Sequence, residues 1–131
     1  MNLEESMKQK NIYTGIKKAT IEMILLKLLA EEDMYGYQLS QECKKRSNGS
    51  YAILEGSMYP ILYRLEAAGH ISCYERKAGR RLIRVYYHLE ESGKSYLNEM
   101  IQEFHNTLHI VETLLTSTGT PERNTNESKA N

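Results

Sequence analysis

Between Ser57 and Leu89 the chain changes its apolar period once, from helical to alternating, and that switch leaves few folds open to it. Met58, Ile61, Leu62 and Leu65 recur at i, i+3, i+4 and i+7, the inward stripe of a helix expected over residues 57–68. Ser57 is placed to cap that helix, Pro60 to sit in a first turn that needs no intrahelical donor, and Gly69 to take the left-handed position past its end. Beyond Gly69, Ile71 and Cys73 alternate with Ser72 and Tyr74, and Val85, Tyr87 and Leu89 with Tyr86 and His88. Two strands with one buried face each are expected. They meet at Lys77-Ala78-Gly79-Arg80-Arg81, a basic tip. A short helix followed by a basic β-hairpin is the layout of a winged helix-turn-helix and implies a module that reads DNA.

The flanking segments complete the expectation. Ile21, Ile24, Leu25, Leu28 and Leu29 form one buried stripe of a first core helix. A turn at Glu32-Asp33-Met34 leads to a second helix over residues 36–46 with Leu39 and Cys43 inward, and Ser47-Asn48-Gly49-Ser50 breaks the chain, since Asn-Gly favours positive φ. After the hairpin the helical period returns, with Leu97, Ile101, Phe104, Leu108, Val111 and Leu115 spaced 4, 3, 4, 3, 4. That heptad seam predicts a dimer interface, because a helix of about 24 residues spans ~36 Å and overhangs so small a core. The N-terminal segment around Leu3, Met7 and Ile12 is expected to clasp the same helix. The fold class expected is α+β and mostly helical: an N-terminal helical arm (1–18), a winged helix-turn-helix domain (19–90), a long dimerisation helix (91–116) and a disordered tail (117–131) rich in Thr, Ser and Asn.

Net charge is zero, yet the charges are not evenly spread. Between Gly36 and His88 nine basic residues face four acidic ones, so the electrostatic footprint falls on the segment already singled out. Lys44, Lys45 and Arg46 read equally well as a solvated helix face. No apolar run approaches the ~18 residues of a membrane span, and the first residues lack the pattern of a signal peptide, so a cytoplasmic protein without a membrane partner is expected. Cys43 and Cys73 are too few for a disulfide framework.

In wording the chain resembles the PadR family of bacterial transcriptional regulators. The resemblance rests on Tyr35-Gly36-Tyr37, on Met58-Tyr59-Pro60-Ile61-Leu62-Tyr63-Arg64-Leu65-Glu66 and on Tyr86-Tyr87-His88-Leu89, and it covers about residues 15–116. It implies a homodimer on a palindromic operator in double-stranded DNA, acting as a repressor and released by a small hydrophobic or phenolic effector. Helix position and resemblance together nominate Tyr37, Ser57, Tyr59, Pro60, Tyr63 and Arg64 for DNA, and Lys77, Arg80 and Arg81 on the wing for phosphate or the minor groove. For Arg64 a structural ion pair with Glu66 is the competing reading. Where the family commonly has Leu-Thr before its last helix, this chain has Leu89-Glu90-Glu91-Ser92, which moves the expected cap to Ser92. It also has no tryptophan, so stacking of a planar effector falls to Tyr13, Tyr96 or Phe104, in a pocket completed by Ile16 and Met100.

Two other readings compete. His105, His109 and Glu112 share one helix face at metal-ligand spacing, and the two thiols suggest redox sensing, so a metal- or thiol-responsive switch on the same fold is the first alternative. The second is an interaction module that uses the last helix without DNA. No phosphate loop, nucleophile elbow or His-Glu-x-x-His is present, so neither an enzyme nor a resident cofactor or metal is expected.

Overall fold

The computed structural model describes residues 2–119, with the side chains of residues 9–14 excepted. The expected disordered tail therefore lies outside the described residues beyond position 119. Eight elements follow one another: α1 (Leu3–Lys18), α2 (Ile21–Glu31), β1 (Met34–Tyr35), α3 (Gly36–Arg46), α4 (Glu55–Ala67), β2 (Ile71–Lys77), β3 (Ile83–Leu89) and α5 (Glu91–Thr116). The chain divides into two compact units, Met1–Met100 and Ile101–Asn131, with α5 running through the division.

In the first unit, α1 starts at a capping box: the Asn2 side chain accepts from the Glu5 backbone N–H at 2.8 Å, and the Glu5 carboxylate accepts from Asn2 N–H at 3.3 Å. Its far end is tied to the loop before α4. Lys17 Nζ donates to the Ala52 carbonyl, and the Thr20 and Tyr51 hydroxyls meet at 2.7 Å. Helix α2 buries Ile21, Leu25, Leu26, Leu28 and Leu29, so Leu26 joins the expected stripe, whereas Ile24 is only half-buried. Leu39 and Cys43 of α3 and Met58, Leu62 and Leu65 of α4 close the same core. Helix α3 stops where Asn48 and Gly49 take φ of 53° and 82°, and Gly69 takes φ of 82° after α4. Both stops are the ones the turn chemistry predicts.

Four expectations need correction. The turn after α2 contains strand β1: Met34 pairs with Tyr87 and Tyr35 with Tyr86, which makes β3 the centre of a three-stranded antiparallel sheet in the order β1-β3-β2. Helix α4 begins at Glu55, and Ser57 is not its cap, because the Leu54 carbonyl already accepts from Ser57 and Met58 N–H at 3.0 Å. Pro60 consequently lies in the second turn and leaves the carbonyl of Gly56 without its helical donor. Gly56 is exposed, so water can replace that bond. The alternation of the hairpin holds only at its root. Ile71, Tyr87 and Leu89 are buried, but Cys73 is exposed and Val85 is 40% exposed, because both strands run out past the helices as a wing. Finally, Ser92 lies inside α5 rather than capping it, and its hydroxyl donates back to the Gly69 carbonyl at 3.1 Å.

Arg46 resolves the charged end of α3. Its guanidinium grips Glu31 of α2 through two bonds of 2.7 and 2.9 Å and Glu42 through a third of 2.9 Å, so it ties two core helices together. Hydrogen bonds from Arg46 and then from Lys27 lower the Glu31 carboxyl from an ordinary 4.5 to about 2. A carboxylate depressed in the folded state contributes stability that is complete above its unfolded value and is lost as pH falls through the folded one. Melting of Glu31→Gln should therefore differ from wild type most at pH 6. The difference should shrink below about pH 4.5 and vanish near pH 2, and it should diminish in molar salt because the pair is exposed. A gap that persists unchanged into acid would assign the effect to packing.

Among the described residues, the second unit holds the distal part of α5. Phe104, Leu108, Val111 and Leu115 expose their side chains along one seam, and Ile110 and Leu114 add a flank that the heptad reading missed. Among the described residues, no helix is long and apolar enough to cross a membrane.

Candidate nucleic-acid interface

Helices α3 and α4 form the helix-turn-helix, and the contact between them explains the Tyr-Gly-Tyr segment. Gly36 is the first residue of α3 and is buried against Tyr59 of α4. A Cβ at position 36 would fall 2.2 Å from the Tyr59 hydroxyl oxygen and 2.8 Å from Cζ. Only glycine leaves room for that ring. Tyr59 and Tyr63 follow one another along α4 with ring centroids 6.2 Å apart, and Tyr37 projects from the first turn of α3 with 61% of its surface exposed. Together with Tyr35, Tyr87, Ile83, Arg84 and Val85, these residues line one cleft between the helix pair and the wing. Burial, then the Glu55 carboxylate, raises the Tyr59 phenol, and burial pushes Tyr87 up to about 12. Both hydroxyls stay protonated and able to donate at neutral pH.

The cleft brings Tyr37, Tyr59 and Tyr63 together, with Pro60 exposed on the same helix. Ser57 is elsewhere: half-buried at the start of α4, it shares a recess with Leu54, Ile21, Lys17 and Lys18. Those two lysines end α1 and were missed by sequence reasoning, since nothing local couples residue 18 to residue 57. Arg64 pairs with Glu22 of α2 at 3.1 Å, and no ion pair between Arg64 and Glu66 occurs among the described residues. On the wing tip Lys77, Arg80 and Arg81 are exposed, and no ion pair involving them occurs among the described residues.

The outer face of the wing carries a layer that went unread. Tyr74 stacks on Tyr86 at 5.7 Å, Tyr35 meets Tyr86 edge-on at 5.3 Å, and the Arg76 and Arg84 guanidinium groups lie 4.5 and 4.3 Å from the centroids of Tyr86 and Tyr35. At its root Asp33 accepts from the Tyr74 hydroxyl at 2.7 Å and lies 2.8 Å from His88 Nδ1. Burial raises the Asp33 carboxyl, but these two hydrogen bonds outweigh it and leave it below the ordinary value. Cation–π and cross-strand aromatic pairs stiffen a hairpin that has little core beneath it. The in-register pairs Tyr74 with Tyr86 and Arg76 with Arg84 are the signal that would have found this layer.

Leu97 is 5% exposed and belongs to the core of the first unit rather than to an open seam, whereas Ile101 is half-buried. Among the residues expected around an effector, Tyr96 stacks on His70 at 4.4 Å and its hydroxyl reaches Glu22 at 3.4 Å. Ile16 is exposed, Met100 half-buried and Phe104 exposed in the second unit, while the Tyr13 side chain lies outside the described residues. His105, His109 and Glu112 form no metal-binding group, and none occurs among the described residues. Burial pushes the Cys43 thiol up to about 11, and the Cys73 thiol is raised mainly by its hydrogen bond to Glu66. Neither has the lowered pKa of a sensing thiolate.

Comparison with known proteins gives concordant results. Residues 25–99 match the family described as the transcriptional regulator PadR-like family. A protein of Lysinibacillus sphaericus, known as uncharacterized protein X, is 33% identical over 77% of this chain and 93% of its own. A transcriptional regulator of Mycobacterium tuberculosis is 30% identical over 63% of this chain and 74% of its own. The crystal structure of a PadR family transcriptional regulator from Eggerthella lenta superposes with a TM-score of 0.80 at 23% identity, over 89% of this chain and all of the other, which bears on the fold alone.

Proposed function

The chain belongs to the PadR-like family of transcriptional regulators, a family of regulators rather than enzymes, and on that premise we propose that it binds an operator in double-stranded DNA as a homodimer. The observation that carries this reading is the tyrosine-lined cleft at α4 flanked by a wing tip whose Lys77, Arg80 and Arg81 are exposed. Tyr37, Tyr59, Pro60 and Tyr63 face the duplex from the helix pair, Ser57 from the start of α4, and the three wing cations take phosphate or the minor groove. The functional division follows: an arm over 1–18, a DNA-reading domain over 19–90 and a dimerisation helix over 91–116. Exposed Leu3, Met7 and Ile16 on α1 and the exposed distal seam of α5 support an interface built from both helices of two copies. Two-fold pairing would set half-sites about one helical turn, ~10 bp, apart. The output is repression, relieved by a small hydrophobic or phenolic effector that favours a dimer geometry with the wrong spacing of recognition helices. A DNA partner is in keeping with a cytoplasmic protein.

The test is salt dependence. Arg80→Ala combined with Arg81→Ala should weaken binding to a duplex selected by the wild type and flatten its log affinity against log salt by about 1.8 per subunit, two phosphate contacts at ~0.9 each, or about 3.6 for the dimer. Tyr59→Phe should leave the slope alone and change which bases are tolerated. A wing variant with unaltered slope and affinity would show that the wing is not engaged.

A further inference from the structure

We infer that Glu22 is a positioning residue for DNA reading, holding the Arg64 guanidinium back from the duplex while Tyr96 ties the same carboxylate to the start of α5. The inference rests on the proposed DNA reading, since it assigns α4 to the duplex. Its ground is the contrast between two arginines. Arg46 makes three charge-assisted bonds of 2.7–2.9 Å to two carboxylates and is held firmly as a structural tie. Arg64 makes one, of 3.1 Å from Nη2 to Glu22 Oε2, and its side chain remains 60% exposed on the recognition helix. A guanidinium has five N–H donors, and phosphate accepts two of them side by side. A loosely held arginine on α4 can therefore exchange its partner for DNA.

Glu22 is the less mobile half of the pair. Its side chain is only 19% exposed, and its other oxygen, Oε1, accepts from the Tyr96 hydroxyl at 3.4 Å. Tyr96 in turn lies flat on the His70 ring, tilted by 11°, and His70 Nδ1 is 3.1 Å from the Ser92 hydroxyl. A single carboxylate on α2 thus joins the recognition helix to the first turns of α5, all within the first unit. Any shift of those turns that carries Tyr96 along alters what Glu22 offers Arg64, and with it the share of Arg64 left for phosphate.

Two variants test this, each compared with wild type on a duplex selected by the wild-type protein from a random pool. Glu22→Gln removes the charge, and Glu22→Asp keeps the charge but falls a carbon short of Arg64. Both should tighten binding by roughly two- to fivefold, the worth of an exposed ion pair, and steepen the salt slope by about 0.9 per subunit. Both gains should disappear when Arg64→Ala is added. Thermal melting checks that each variant folds, and the aspartate keeps the test open should the glutamine variant not fold. Unchanged slopes in the folded variants would overturn the inference, as would gains that survive Arg64→Ala, which would reduce Glu22 to a general repulsive charge. Loss of DNA binding by the wild type itself would instead overturn the DNA reading and this inference with it.

Discussion

Glutamate at both Leu108 and Val111 should convert the protein to a monomer that no longer holds its operator. The two positions sit mid-seam in the second unit, where Leu108 is 43% and Val111 42% exposed. An apolar row of this kind on an isolated helix finds its stability by packing against another copy. Placing four carboxylates in the paired interface removes that packing and adds like-charge repulsion. Glutamate is a good helix former, so the helical signal of the variant should match wild type. The functional loss should be large because two half-sites contribute jointly: a dimer in the nanomolar range would fall toward the non-specific level of ~10⁻⁴–10⁻⁶ M, a loss of roughly a thousandfold or more. Sedimentation and operator binding measure the two effects separately. Wild type sedimenting as a monomer at micromolar concentration would sink the proposal, and a dimeric variant would move the interface to another face.

What could be read from the sequence, and what could not, follows from where the information lies. The bounds of α3, the Asn48-Gly49 break and the left-handed Gly69 are set by residues within a few positions of one another, and they agree with the reading of the chain. Strand β1 was missed because two residues carry no period, and it exists only because β3 offers a free edge to Met34 and Tyr35. Cys73 and Val85 obey the alternation, yet they are exposed because the wing outruns the helices that would cover it. Period reports which face points inward, not whether anything is there to meet it. In the site, the tyrosines of α3 and α4 were legible, but the carboxylate that holds Arg64 was not, since Glu22 lies 42 residues away. Nor does a heptad distinguish Leu97, taken into its own core, from Leu108, left exposed.

Gly93 is the clearest case of a residue whose meaning appears only in three dimensions, and Gly93→Ala should be the most destabilising single methyl in the chain. In an exposed helix the same change gains up to ~1 kcal/mol, because glycine is a poor helix former. Here a Cβ would fall 2.2 Å from the His70 carbonyl oxygen and 2.5 Å from Leu89 Cδ1. His70 cannot retreat freely: its carbonyl accepts from Glu90 N–H at 3.0 Å and its own N–H donates to the Leu65 carbonyl at 3.0 Å. Leu89 is in the core. The first turn of α5 must therefore lift off the turn after α4, weakening the bonds from Glu90 and from the Ser92 hydroxyl, at an overpacking cost of about 2–3 kcal/mol. For a unit of this size that corresponds to a melting temperature lower by about 10–20 °C. Gly56→Ala is the control, since a Cβ there meets nothing within 4 Å and should leave the melt unchanged or raise it. If Gly93→Ala melts at or above wild type, the start of α5 is not seated on the Gly69–His70 turn, and the path from α5 to the recognition helix loses its anchor.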